Sequence, residues 1–160
     1  MRYAEHFPEL TDFTDEALRV SGYTRRAISV FDHWLTEEEL VKSNLLTYKD
    51  AAASGSKHVY LDQERRFLAF YRDLFAGGGI RKTQVRGRDV GYATYIDWDR
   101  KLKRSVVLSL RERRRIDAYI PSIKLRILGG FDRTDQLLFE SDVAVGLVEG
   151  LAISHGLFVI

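Results

Sequence analysis

The chain has no cysteine. That excludes disulfides and thiolate metal sites, and it fits a reducing compartment. Also missing is any apolar run approaching the roughly 18 to 20 residues that span a bilayer. The first ten residues, Met1 to Leu10, carry charges and Pro8 where a secretory signal needs an apolar stretch. A soluble, cytoplasmic protein without a membrane partner is therefore expected. Catalytic signatures are missing too. No Gly-x-Ser-x-Gly elbow occurs, and the glycines at 77–79 and 129–130 lack the Lys-Ser/Thr of a phosphate loop and the spacing of a dinucleotide fingerprint. His6, His33, His58 and His155 make no His-x-His or His-x-x-x-His pair. There is no internal repeat and no low-complexity tract. The sequence predicts no enzyme, no cofactor and no metal centre. Its 160 residues predict a single domain, 1–160, long enough to bury a core without staples.

What is present is charge, unevenly placed. The net charge is only +2, yet residues 1–40 hold nine acids against four arginines, a balance of −5. Residues 80–126 hold fourteen Lys and Arg against five acids, a balance of +9, and residues 127–160 return to −4. Such polarisation either steers a charged partner or lets the first and middle thirds attract each other.

Residues 1–79 read as mainly helical. Thr14 is an N-cap for a short helix that ends at Gly22. Tyr23 to Trp34 fits both periods, and Ile28, Val30 and the flanking aromatics favour a strand. Thr36-Glu37-Glu38-Glu39 is a capping box and predicts a helix from Glu37 to about Asn44. The small residues of 51–56 read as a surface loop or frayed helix end. His58 to Leu61 reads as a short extended piece. After Asp62 as N-cap, Phe67, Phe70, Tyr71 and Leu74 lie on one helical face, and Gly77 to Gly79 stop that helix.

From Ile80 the period changes to two, and residues 80–160 read as mainly sheet with a C-terminal helix and strand. Val90, Tyr92, Thr94, Ile96 and Trp98 share one face of a strand. Residues 99–103 make a polar turn, and Ser105 to Arg111 completes a hairpin. Arg81 to Arg86 pairs beside it through a turn at 87–89. Pro121 places Ile116 to Ser122 at an edge or in a connection. Ile123 to Gly129 is a strand, and Gln136 to Phe139 returns from the turn at 129–135. Ser141 or Asp142 caps a helix carrying Val143, Leu147, Val148 and Leu151, which His155-Gly156 ends. Leu157 to Ile160 then tucks into the sheet through a strand-helix-strand order that permits a parallel crossover. The predicted class is α+β: an antiparallel-rich sheet of about five to six strands, one or two helices packed on it, and a C-terminal helix-strand unit.

Two carboxylate pairs are candidates for chemistry. Asp97 and Asp99 either bridge a cation through oxygen ligands or form surface ion pairs. Asp132 and Asp135 either seat a cation or water or bond their own turn backbone. The basic middle is richer. Its Lys and Arg residues interleave with Tyr92, Tyr95, Trp98 and Tyr119, and on a sheet they would hold phosphates while the rings stack on bases. The same residue types mark protein interfaces. A solvated face paired with the acids of 1–40 is the third reading.

The tail, Ile127-Leu-Gly-Gly-Phe-Asp-Arg-Thr-Asp135 with Leu137-Leu-Phe139 and His155-Gly-Leu-Phe-Val-Ile160, resembles the ending of small immunity proteins of bacterial polymorphic and contact-dependent growth inhibition toxin systems. The resemblance covers about a quarter of the chain. It implies a small cytosolic α+β protein without catalytic residues, bound one-to-one to a cognate toxin domain, often a nuclease, whose active site it covers or distorts. It carries over no residue roles. Immunity proteins for nucleases often offer acids to a basic cleft, and here only residues 1–40 and the C-terminal third would do so. Two partner surfaces follow. One is Glu37, Glu38 and Glu39 with Trp34 as an apolar anchor. The other is Tyr95 and Trp98 with Arg113, Arg114 and Arg115. Nucleic acid is the alternative partner, through residues 80–126, and a small enzyme of unassigned chemistry is the third class. The oligomeric state is left open.

Overall fold

A computed structural model of the chain describes residues 3–42, 47–84, 90–131 and 133–160. The first half forms α1 (Asp15–Val20), β1 (Thr24–Ser29), α2 (Glu37–Lys42), α3 (Tyr48–Ala53) and α4 (Lys57–Leu74). The second forms β2 (Gly79–Gln84), β3 (Val90–Tyr95), α5 (Arg100–Leu110), β4 (Asp117–Ile120), β5 (Leu125–Leu128), β6 (Asp135–Phe139), α6 (Val145–Ser154) and β7 (Phe158–Val159). The α+β class is as expected, with seven strands among the described residues in the order β3-β2-β4-β5-β6-β1-β7 and every neighbouring pair antiparallel. β1 lies between β6 and β7 and opposes both, so α6 joins two parallel strands across an intervening one. The C-terminus is held there by paired backbone bonds between Ala27 and Ile160, each 2.8 Å.

Alternation divides the sheet's residues. Ile28, Ile120, Leu125, Ile127, Leu137 and Phe139 turn to one side and meet α4, α5 and α6 in the main core. Burying each of Phe67 and Phe70 on α4 there contributes roughly 1.5 to 3 kcal/mol. The opposite side carries Ile80, Tyr119, Arg126 and Leu138. Phe7 covers Ile80 and Tyr119, and Leu18 and Tyr23 cover Leu138.

Several expectations need correction. Ser105 to Arg111 is not a strand, and residues 99–103 are not a turn. Asp99 accepts the Leu102 amide at 2.7 Å as the N-cap of α5, and Leu102, Val106, Ser109 and Leu110 form a buried stripe at helical spacing. His58 to Leu61 is not extended. α4 starts at Lys57 because Tyr60 and Glu64 continue its buried stripe towards the N-terminus, and the Tyr60 hydroxyl donates to the Leu110 carbonyl at 2.8 Å. Ile116 to Ser122 is not an edge: β4 lies between β2 and β5, and Pro121 falls just past it at the first position of a 3-10 turn, where a missing N–H costs nothing. β3 ends at Tyr95, so Ile96 and Trp98 lie beyond the strand. As expected, two helices, α4 and α5, pack on the sheet beside the C-terminal helix α6.

Other readings are matched. β1 and the β2–β3 hairpin are strands, and the expected turn at 87–89 lies outside the described residues. Thr14 accepts the Ala17 amide at 3.3 Å as cap of α1. The capping box at Thr36 and Glu39 forms, with α2 running to Lys42, and Asn44 lies outside the described residues.

Candidate partner-binding cleft

The side of the sheet away from α4, α5 and α6 is only partly covered. Arg126, almost fully buried, fastens the N-terminal arm over β4 and β5. It donates two hydrogen bonds of 2.9 Å to Asp117 and one of 2.8 Å to the Pro8 carbonyl, with its guanidinium 5.5 Å from the Phe7 ring centre. Beyond this arm the floor made by β1, β5 and β6 stays open as a cleft of about 590 Å³.

Its walls come from chain segments far apart in sequence. Arg25 stands at the α1 end, held by Asp15 at 2.8 Å and by the Phe13 carbonyl at 3.0 Å. The segment after β1 contributes Phe31, Trp34 and Leu40. Facing them, Arg115 and Phe131 close the other wall, with the guanidinium carbon 4.1 Å from the ring centre. Phe131 sits on a turn that needs glycine before it. A Cβ on Gly129 would collide with Ser109 Oγ, and one on Gly130 with the Thr134 carbonyl. The Gly130 amide donates to Asp135 at 2.9 Å, and the Tyr71 hydroxyl donates to the other oxygen of the same carboxyl. Asp135 is buried, and desolvation holds its pKa above the ordinary Asp range; the Tyr71 hydroxyl is pushed well up by its own burial.

The opposite wall is held by a polar knot. Glu39 accepts the Thr36 amide at 2.8 Å and the Thr36 hydroxyl at 2.9 Å, and its other oxygen lies 3.0 Å from His33 Nε2. Asp32 meets His33 Nδ1 at 2.6 Å. The Thr36 amide bond, then the His33 bond, hold the Glu39 carboxyl down at about 2. The His33 imidazolium is favoured by its bonds to Asp32 and then Glu39, which raise its pKa, and Asp32 is lowered in turn by His33.

Four large apolar side chains stay exposed on this cleft: Trp34 at 57%, Phe131 at 56%, Phe13 at 44% and Leu40 at 36%. Convergent exposed apolar surface of this kind marks interaction sites.

The predicted partner residues divide accordingly. Trp34 and Arg115, which the sequence places on alternative surfaces, both line the cleft. Glu37 and Glu38 stand exposed on α2 beside it, whereas Glu39 is committed to the cap and His33. Arg113 and Arg114 are exposed on the turn after α5, their amides bonded to the Leu108 carbonyl at 2.9 and 3.2 Å. Tyr95 and Trp98 belong to the helix side. Tyr95 accepts from Arg81 Nε at 3.2 Å, and the Trp98 ring packs 6.4 Å from that of Phe75. They do not join the cleft.

Of the carboxylate pairs, Asp97 is exposed, Asp99 caps α5, Asp135 is buried under the turn, and Asp132 lies outside the described residues. Among the described residues no three His, Cys, Asp or Glu side chains group as metal ligands, and no helix is long and apolar enough to cross a membrane. The sequence reading missed Phe13, Phe31, Arg25 and Phe131. Only Phe131, an aromatic directly after two glycines in a turn, offered a local signal.

No family model matches the chain, and no curated protein or solved structure shows significant similarity to it.

Proposed function

We propose that the chain is a non-enzymatic inhibitor of the immunity type, which neutralises a cognate bacterial toxin domain by binding it through this cleft. The observation that carries the reading is the convergence of Trp34, Phe131, Phe13 and Leu40, all exposed, on one cleft with Arg115 at its wall. Trp and Arg dominate interface hot spots, and a concave apolar centre with a charged rim is the anatomy of a tight protein interface. The segment that resembles immunity proteins supplies Leu128, Phe131, Gln136 and Ile160 to the cleft. In this reading Trp34 and Phe131 embrace an apolar side chain of the toxin, and Glu37 and Glu38 face its lysines and arginines. The toxin's active site is then covered by α2 and the rim of the cleft.

The test is co-expression with the candidate toxin domain, scored by growth and by co-purification. The expected result is growth rescue with a one-to-one complex. Trp34→Ala should weaken the complex roughly 30-fold, the loss of a single hot spot of about 2 kcal/mol. Rescue that is indifferent to Trp34, Phe131, Glu37 and Glu38 together would contradict the assignment of the surface.

A further inference from the structure

We infer that the solvent face of α5, on the other side of the molecule, binds the phosphate backbone of double-stranded nucleic acid without reading its sequence. The observation is a helix whose charges oppose its own stability. Arg100, Lys101, Lys103 and Arg104 are all exposed, fill four of the first five positions of α5, and have no acid among them or anywhere on the helix. Cations at this end oppose the helix dipole, and the spacings 100 to 103, 101 to 104 and 100 to 104 set like charges side by side. Among the described residues, no carboxylate forms an ion pair with any of the four, nor with Arg113 or Arg114 just past the helix. Of the acids in residues 1–40, Asp15, Asp32, Glu38 and Glu39 pair with Arg25, His33 and Lys42 rather than with these cations.

The geometry narrows the partner. At 3.6 residues per turn the four cations span an arc of about 160° and a rise of about 6 Å, a compact positive patch. The binding groups are these side chains: the Asp99 carboxylate already takes the Leu102 amide and sets a negative charge at the helix's start. Its apolar residues Leu102, Val106 and Leu110 are buried in the core, so α5 has no free apolar face to enter a bilayer.

The aromatics that would stack unpaired bases are also occupied. Tyr92 packs on Phe7 at 5.4 Å, His6 stacks on Tyr119 at 4.3 Å, Trp98 lies against Phe75, and Tyr95 is bonded to Arg81. Single strands are held by such stacking as well as by charge. A duplex needs only cations along its backbone, and that is what α5 presents.

The test is fluorescence anisotropy with a labelled 20-base-pair DNA duplex, a single-stranded 20-mer of the same sequence, and vesicles containing anionic lipid, at several salt concentrations. Duplex binding is expected to weaken about a hundredfold between 50 and 200 mM salt, the slope for about four neutralised phosphates. The variant R100Q/K101Q/K103Q/R104Q should lose that binding while its melting temperature stays level or rises, because the like charges are gone. A merely structural role would give the opposite, a lower melting temperature. Any of three results overturns the inference: no duplex binding at 50 mM salt, equal binding by the variant, or a preference for the single strand or the vesicles. The toxin assay does not depend on these residues, so either conclusion can fail alone.

Discussion

Arg115 lies over the Phe131 ring, its guanidinium carbon 4.1 Å from the ring centre, and so joins the turn before β4 to the turn between β5 and β6. The contact is open to solvent, and an exposed cation–π pair contributes only about 0.5 to 1 kcal/mol to the fold. Phe131→Ala is therefore expected to leave the urea midpoint nearly unchanged while weakening toxin binding at least about tenfold. Parallel denaturation and calorimetric titration check this. A large stability loss with intact binding would make Phe131 a structural residue.

Glu64 and Arg111 behave differently. Arg111 Nε and Nη2 donate to the carboxylate at 2.6 and 2.8 Å, tying α4 to α5, and Glu64 is almost fully buried. The guanidinium lies 4.4 Å from the Tyr48 ring centre, which brings α3 into the same joint. Arg111→Met should cost about 3 kcal/mol because it strands a buried carboxylate, and pairing it with Glu64→Leu should recover most of the loss. Urea denaturation of the two singles and the double variant measures this directly.

Asp135 provides a pH dependence with a defined sign. Burial raises its folded pKa above the unfolded value, so the folded state binds the extra proton. The penalty of ionising it is absent below the unfolded value of about 4 and grows as pH rises towards the folded one. Asp135→Asn keeps an acceptor for the Gly130 amide and carries no charge. The stability of this variant relative to the parent should therefore increase with pH from about 4 upward. Denaturant midpoints of both proteins across that range test it, and a difference that stays flat would be the contrary result.

The wall knot titrates at both ends. The Glu39 contribution is present above its ordinary 4.5 and lost as pH falls towards about 2. The His33 contribution is present below its ordinary 6.5 and lost as pH rises through its raised value. Proton NMR of the His33 ring should show the raised pKa, and Glu39→Gln should bring it back towards 6.5. No change in that variant would mean that Glu39 does not hold the wall.

Local signals account for much that could be read from the sequence. Thr14, Thr36 with Glu39, and Gly78 mark the ends of elements by backbone chemistry, and the structure uses each of them. α5 was misread because Val106, Leu108 and Leu110 alternate as a strand would. The deciding residues were Asp99 and Leu102, the cap and first buried position of a helix, which the strand reading placed in a turn. β4 was misplaced because Pro121 lies one residue beyond the ladder rather than in it. The cleft was illegible for another reason. Its lining comes from position 13, from within 25–40, and from 115–117, 128–131, 134, 136 and 160, which only the strand order brings together. Trp34 and Arg115 were each legible as binding residue types, but the cleft they share was not.

The most direct measurement is backbone hydrogen exchange of the chain, free and in complex with its co-purified toxin domain. Slowed exchange in residues 29–40 and 128–131 is the predicted result. Protection confined to residues 90–98, at the far edge of the sheet and away from the cleft, would contradict the account.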